Sequence, residues 1–416
     1  MTNLRRPGAL GDSAADRMAA QMAHRMSGRL DFSRRSFLRG GSMAAMALGS
    51  GGLLAACGTD GARIASGECQ STDISDREKT ITFSNWIGYV DPVKRSDTST
   101  LEKFQAESGI TVEYQNGDVN DNETFFAKVS PQLQACRSTG RDVFVVTDYM
   151  ASRMIELGWI QKLDHDSLPN VDANLIDVLK SPDWDPNRDY SVPWQSGKTG
   201  ICYNSELTDP VSSFEELLTR PDLKGKVELL TEMRDTMLFM LLIEGSDPED
   251  FSDDEFTAAA DRLQGFVDNG QVRRFAGNDY VDDMKSGDIV ACEAWSGDVI
   301  NLLGGGKYKW IPPEEGFAIW TDNMLVPNQA EHKANVETMM DFYYDPVNAA
   351  QLSAWNYYIC PVSGAQDEIA QFDKSATDSD FIFIDDQTVE MGFSFMSLDD
   401  EQETTFQRQF NEVISG

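Results

Sequence analysis

Along residues 79–83, Lys-Thr-Ile-Thr-Phe alternates polar and apolar side chains as a half-buried strand does, and Asn85 and Gly88 then break the pattern. Leu101 to Glu107 reads as a helix that Gly109 ends, and Ile110-Thr111-Val112-Glu113-Tyr114 alternates like a strand again. Asn120, with Glu123 three residues on, predicts a capping box for a helix through Phe125, Phe126, Val129 and Leu133. Asp142-Val143-Phe144-Val145-Val146 is an apolar run of the kind covered on both faces, and a helix from Tyr149 to Leu157 follows it until Gly158. The order β-α-β-α-β-α predicts a mainly parallel sheet in an α/β domain.

A polar loop rich in Pro and Asp, residues 181–189, separates this series from a second one. Tyr190 to Pro193 and Thr199 to Tyr203 read as two strands. Phe214 to Leu218 is then helical, Val227 to Leu230 a strand and Met233 to Glu244 a helix. Ser252 and Glu255 cap a helix to about Val267, and Asp288 to Trp295 reads as a strand. Gly304-Gly305-Gly306-Lys307 lacks the hydroxyl residue and the glycine spacing of a phosphate loop, so it reads as a turn. Phe317 to Trp320 gives a strand, and Glu331 to Tyr343, Val347 to Trp355 and Glu401 to Ile414 are helical.

A length of 416 residues calls for more than one hydrophobic core. The first 57 residues differ from the rest. A basic region ends in Ser33-Arg34-Arg35-Ser36-Phe37-Leu38-Arg39, a weakly apolar run follows, and Leu54-Ala55-Ala56-Cys57 closes it. This is the pattern of a twin-arginine lipoprotein signal peptide over residues 1–56, with Cys57 as the lipidated first residue of the mature chain. Residues 57–78, rich in Gly, Ser, Thr and Asp, then form a flexible stalk. The protein is expected outside the cytoplasm, held to the membrane by that lipid.

Taking the leader's eight arginines from 35 Lys and Arg, and its three aspartates from 69 Asp and Glu, leaves 27 against 66, a balance of −39. Such a surface disfavours nucleic acid and draws cationic ligands, or serves simply as a solvated acidic coat. Cys69, Cys136, Cys202, Cys292 and Cys360 form no CxxC, and buried thiols or one or two bridges are both compatible with them. Three histidines are too scattered for a zinc site, so neither metal nor cofactor is expected.

Aromatic residues accompanied by acids recur near predicted strand ends: Trp86 with Tyr89, Thr147-Asp148-Tyr149, Glu232 to Asp235, Trp295, and Trp320-Thr321-Asp322. One tryptophan so placed more often packs than binds, but the recurrence in both halves marks a cleft, where open α/β sheets take their ligands. Indole faces with carboxylates suit an organic polycation. Sugars use ring faces too. No GxSxG, HExxH or complete Walker loop is present, so the expectation is a binding protein and not an enzyme.

Residues 79–416 resemble the bacterial spermidine/putrescine-binding proteins of ABC importers. The resemblance rests on residues 84–89 (SNWIGY), 142–154, 190–194 (YSVPW), 230–235, 294–297 (AWSG), 313–316 (PEEG) and 319–322 (IWTD), in family order. It implies a two-lobed type 2 periplasmic-binding-protein fold, each lobe a mainly parallel sheet with flanking helices, with the ligand cleft between them. The lobes would be residues 79–196 with 322–363, and 197–321 with 364–416. It further implies that Trp86, Tyr89, Thr147, Asp148 and Tyr149 line the cleft from the first lobe, and that Glu232 and Asp235 offer carboxylates from the second. Trp295 would stack on the aliphatic chain, Trp320 and Asp322 would stand where the chain returns, with Asp322 pairing a central amine, and Tyr358 would close the rim. The implied partners are a polyamine and the permease subunits, with a monomeric receptor. Gly88 stands where the family often has an acid, Asp148 where it has a neutral residue, and Lys198 near the cleft has to point away or pair with an acid. A receptor of the same fold for a quaternary amine, an amino-acid derivative or a sugar, and a secreted glycan-active hydrolase, are the alternatives.

Overall fold

The computed structural model describes residues 69–92, 98–384, 388 and 391–415. The expected export signal, Cys57 and the first part of the expected stalk lie outside the described residues; the rest of that stretch, residues 69–78, lies against the folded part, where Ser75 is buried, Ile74 N donates to the Glu331 carbonyl at 2.8 Å and Asp73 accepts from Ala334 N at 2.9 Å. No helix among the described residues is long and apolar enough to cross a membrane.

The first series runs β1 (Thr80–Asn85), α1 (Thr100–Ser108), β2 (Thr111–Asn116), α2 (Asn122–Gln134), β3 (Val143–Thr147) and α3 (Asp148–Glu156), followed by the short α4 (Pro169–Asn174). Strands β2, β1 and β3 lie side by side and parallel, as the alternating pattern predicts. Ser99 and Glu102 close a capping box at the start of α1. At α2 the cap is Asp121, not the expected Asn120: its carboxylate accepts from Thr124 N at 2.8 Å. Asn120 instead presses its carbonyl against Gly277, where a Cβ would meet it at 2.6 Å.

The two strands expected at 190–193 and 199–203 are one, β4 (Ser191–Asn204), buried at every position. Its antiparallel partner β9 (Phe317–Leu325) runs beside it from Ser191 opposite Leu325 to Thr199 opposite Ala318. Gln195, Ser196, Lys198 and Thr199 sit inside a protein-covered strand, and those polar residues are what hid its continuity.

The second series supplies α5 (Phe214–Thr219), β5 (Val227–Leu230), α6 (Met233–Glu244), α7 (Asp253–Asp268), β6 (Val272–Ala276), α8 (Tyr280–Ser286), β7 (Ala291–Trp295), α9 (Ser296–Asn301) and β8 (Tyr308–Ile311). β7 starts three residues later than expected, because the turn leaving α8 occupies Gly287 to Val290. After β9 come α10 (Lys333–Tyr343), α11 (Pro346–Asn356), α12 (Ala365–Glu368), β10 (Gly392–Phe393) and α13 (Asp400–Ile414).

The strand order β2-β1-β3-β9-β4-β7-β5-β6 explains the architecture. Three parallel strands stand at each end, and β9 and β4 cross antiparallel between them, so two lobes share one pair of long strands. A large apolar cluster fills the first lobe and runs on to Trp295 and Tyr308, while a smaller one, around Phe214, Phe239, Phe256 and Phe406, fills the second. Ala365, Ile369, Ala376 and Ile382 still pack in the larger cluster, and Phe393, Phe410 and Val413 in the smaller one. We therefore propose that the last crossing falls after Ile382, later than the expected boundary at 364.

Cys69 and Cys136 form a disulfide with a Cα separation of 5.5 Å, tying the start of the described chain to the end of α2. Cys202, Cys292 and Cys360 are buried thiols, and Cys202 faces Cys292 across β4 and β7.

Candidate functional site

All eleven residues expected to bind ligand line one cavity of about 520 Å³ between the lobes. Period-two geometry puts Trp320 and Asp322 on one face of β9, as its floor. Trp86 and Tyr89 reach it from the turn after β1, where Gly88 takes φ +72° and a Cβ would meet Leu302 Cδ2 at 2.9 Å. Gly88 itself does not line the cavity. Its carbonyl accepts from Asn301 Nδ2 of the second lobe and from Trp355 Nε1, both at 3.1 Å. An acid there would be strained whatever the ligand.

Asp322 is 3 % exposed, and accepts from Tyr89 Oη and Thr147 Oγ1, each at 2.8 Å. Asp235, in the first turn of α6, accepts from Thr199 Oγ1 at 2.8 Å and Trp295 Nε1 at 3.1 Å. Thr199 also takes the indole N–H of Trp320 at 2.9 Å, so one hydroxyl orients both a ring and an acid. Asp148 accepts from Asn323 Nδ2 at 2.7 Å. The rings meet edge to face: Trp86 on Trp295 at 5.7 Å and Tyr89 on Tyr358 at 4.8 Å between centroids.

Sequence reasoning missed Asp298, which lies three residues past Trp295 and lines the cavity. It accepts from Tyr358 Oη at 2.7 Å, and from Tyr280 Oη and Asn278 Nδ2 at 2.8 Å. It missed Asn122 too, whose backbone N and Nδ2 donate across the cleft to Glu232 Oε1 at 2.8 and 3.0 Å. Tyr149 Oη takes the other Glu232 oxygen at 3.1 Å, so first-lobe donors already occupy both. Arg234 stacks its guanidinium 3.5 Å from the centre of the Tyr149 ring and pairs with Glu403 at 2.5 Å. Lys198 turns away from the cleft, donating to the Asp380 carbonyl at 2.9 Å beside Trp310 and Phe381.

Burial lifts Asp322 to about 7, Asp235 to about 6 and Asp148 to about 6, and pushes Glu232 and Asp298 upward as well. None of these five acids joins an ion pair among the described residues, whereas Arg153 and Arg234 both find carboxylates. The site is thus a ring-lined set of acids, and the two arginines that line the same cavity, Arg153 and Arg234, are paired with Glu123 and Glu403. Among the described residues no His, Cys, Asp and Glu group is arranged to hold a metal ion.

Two lobes on crossing strands with a cavity shut between them define a solute receptor. A family model described as a bacterial extracellular solute-binding protein matches residues 99–378, and the chain belongs to that family. The spermidine/putrescine-binding periplasmic protein of Escherichia coli is 29% identical over 290 residues, 69% of this chain and 79% of its own. The putrescine/agmatine-binding protein of Pseudomonas aeruginosa is 25% identical over 365 residues, 82% of this chain and 93% of its own. Among solved structures, a putative spermidine/putrescine ABC transporter protein of Listeria monocytogenes superposes with a TM-score of 0.70 at 25% identity, covering 81% of this chain and 99% of that one. These relatives bind solutes; the protein is a binding protein and not an enzyme, with the type 2 periplasmic-binding fold.

Proposed function

We propose that this protein captures a polyamine, spermidine or putrescine, outside the cytoplasm and delivers it to the permease of an ABC importer. The observation that carries this reading is the set of acids that join no ion pair among the described residues, the half-buried Asp235 and the buried Asp298 and Asp322, behind the rings of Trp86, Tyr89, Trp295 and Trp320. An ammonium group supplies the missing charge, and each ring face it meets contributes about 0.5–2 kcal/mol. The relatives that bind spermidine, putrescine or agmatine support the same solute class. Capture proceeds by lobe closure. A ligand touching both walls favours the closed form by its extra contacts there, and by nothing else.

Cys57 is proposed as the lipid anchor that keeps the receptor at the membrane; intact mass and detergent partitioning of Cys57→Ser against the natural chain test it. The solute is tested by a melting-temperature screen with putrescine, spermidine, spermine, choline and common sugars. Stabilisation by the polyamines is expected. Stabilisation by choline or a sugar alone sinks the reading in favour of another solute, and carboxylate-dependent sugar hydrolysis would point to an enzyme.

A further inference from the structure

The cavity continues beyond the acids into a compartment of different chemistry. Past Trp320 its walls are Leu238, Ile319, Phe393, Phe395, Met396 and Leu398. The segment carrying the last four is held in place by the second lobe. Phe393 pairs with Ala318 of β9, Ser394 N donates to Glu249 Oε1 at 3.0 Å, Met396 N to the Pro248 carbonyl at 2.8 Å, and Phe395 packs edge-on against Phe251 at 5.2 Å.

The arginines that line this compartment are paired, Arg153 with Glu123 and Arg234 with Glu403. Glu403 is taken by Arg234, whose guanidinium lies between the rings of Tyr149 and Phe395. Asp399 accepts from Glu401 N and Gln402 N at the start of α13, at 3.0 and 2.9 Å. Glu156 and Asp183 stand at the exposed rim. An ammonium group entering here meets Arg153 and Arg234 beside acids that are already bonded or stand at the rim, whereas an alkyl group meets rings, a thioether and leucine.

From Asp322 to Ala318 the floor strand extends roughly 13 Å at about 3.3 Å per residue, longer than an extended four-carbon diamine. We propose that the outer compartment takes an apolar substituent, so that the preferred ligand is an N-alkylated diamine with its amines among the acids and its alkyl tail against residues 393–398. The inference rests on the amine reading of the inner site and adds the substituent to it.

The test is calorimetry of the purified chain with putrescine, N-butylputrescine, N-hexylputrescine and spermine. The expected result is a Kd that tightens about two- to fourfold per added methylene, the gain being lost in Met396→Ser/Leu398→Ser while putrescine binds as before. Alkyl diamines binding no tighter than putrescine overturn the inference and leave the amine reading standing. A gain for spermine without one for the alkyl series overturns it in favour of a charged occupant. No binding of any amine removes the amine reading, and the inference with it.

Discussion

At the scale of single residues, Asp322 combines two oriented donors with deep burial. If it meets a ligand ammonium, Asp322→Ala costs roughly 3–5 kcal/mol of binding, as breaking a buried pair does; calorimetry showing less than a tenfold loss excludes that role. Its position at about 7 in the ligand-free protein also fixes a pH dependence. A cation binds the ionised form, so affinity rises between pH 6 and 8 and binding releases protons, seen as a dependence of the binding heat on the buffer. The stability sign is opposite. A carboxyl group raised on folding contributes stability that is present below its ordinary value and lost as pH climbs through 7. Ligand therefore raises the melting temperature more at pH 8 than at pH 5.5, and Asp322→Asn flattens that difference. Trp86, Tyr89 and Trp295 were legible because rings at strand ends form a local pattern; Trp320 and Asp322, expected at the end of a strand over Phe317 to Trp320, lie inside the longer β9 and were legible as a ring and an acid two positions apart. Asp298 and Asn122 gave no such signal: one is an ordinary acid early in a helix, the other an asparagine two positions from the wrong cap, and only tertiary packing gives either its partners.

At the scale of elements, the closed cleft depends on a second-lobe carboxylate placed at the start of α2. Anions are favoured at helix N-termini, and Glu232 meets the first amide of the helix there. Glu232→Ala is expected to weaken ligand binding by roughly 2 kcal/mol, about thirtyfold, by loosening closure. Small-angle scattering at saturating ligand separates this from a plain contact: a latch variant stays more open, whereas loss of a ligand contact alone leaves the radius of gyration unchanged. The crossing strands show where legibility failed. Residues with helix or strand periodicity, such as Met233–Glu244 and Val143–Val146, were readable because one solvent-facing or one fully apolar pattern governs them. β4 follows neither rule, being covered on both faces yet carrying Gln195, Lys198 and Thr199, of which Lys198 and Thr199 find their partners far away in sequence. The wall at 393–398 was unreadable for a similar reason, since its place comes from Pro248, Glu249 and Ala318 and not from its own pattern.

At the scale of the whole molecule, the disulfide closes a loop of 67 residues around β1, α1, β2 and α2. Chain-entropy arguments assign such a loop about 4 kcal/mol, so Cys69→Ser/Cys136→Ser lowers unfolding stability by up to that amount in urea titrations, with ligand affinity little changed because neither cysteine lines the cavity. The remaining described cysteines have a practical consequence. Cys202, Cys292 and Cys360 are all buried, so a solvent-borne maleimide finds no ready thiol among the described residues. Ile87, 42 % exposed at the cavity mouth, is then the place for an introduced cysteine. With Cys57 replaced, an environment-sensitive dye on Ile87→Cys turns each closing of the lobes into a change of emission, and the receptor into a reagentless optical sensor for its own solute.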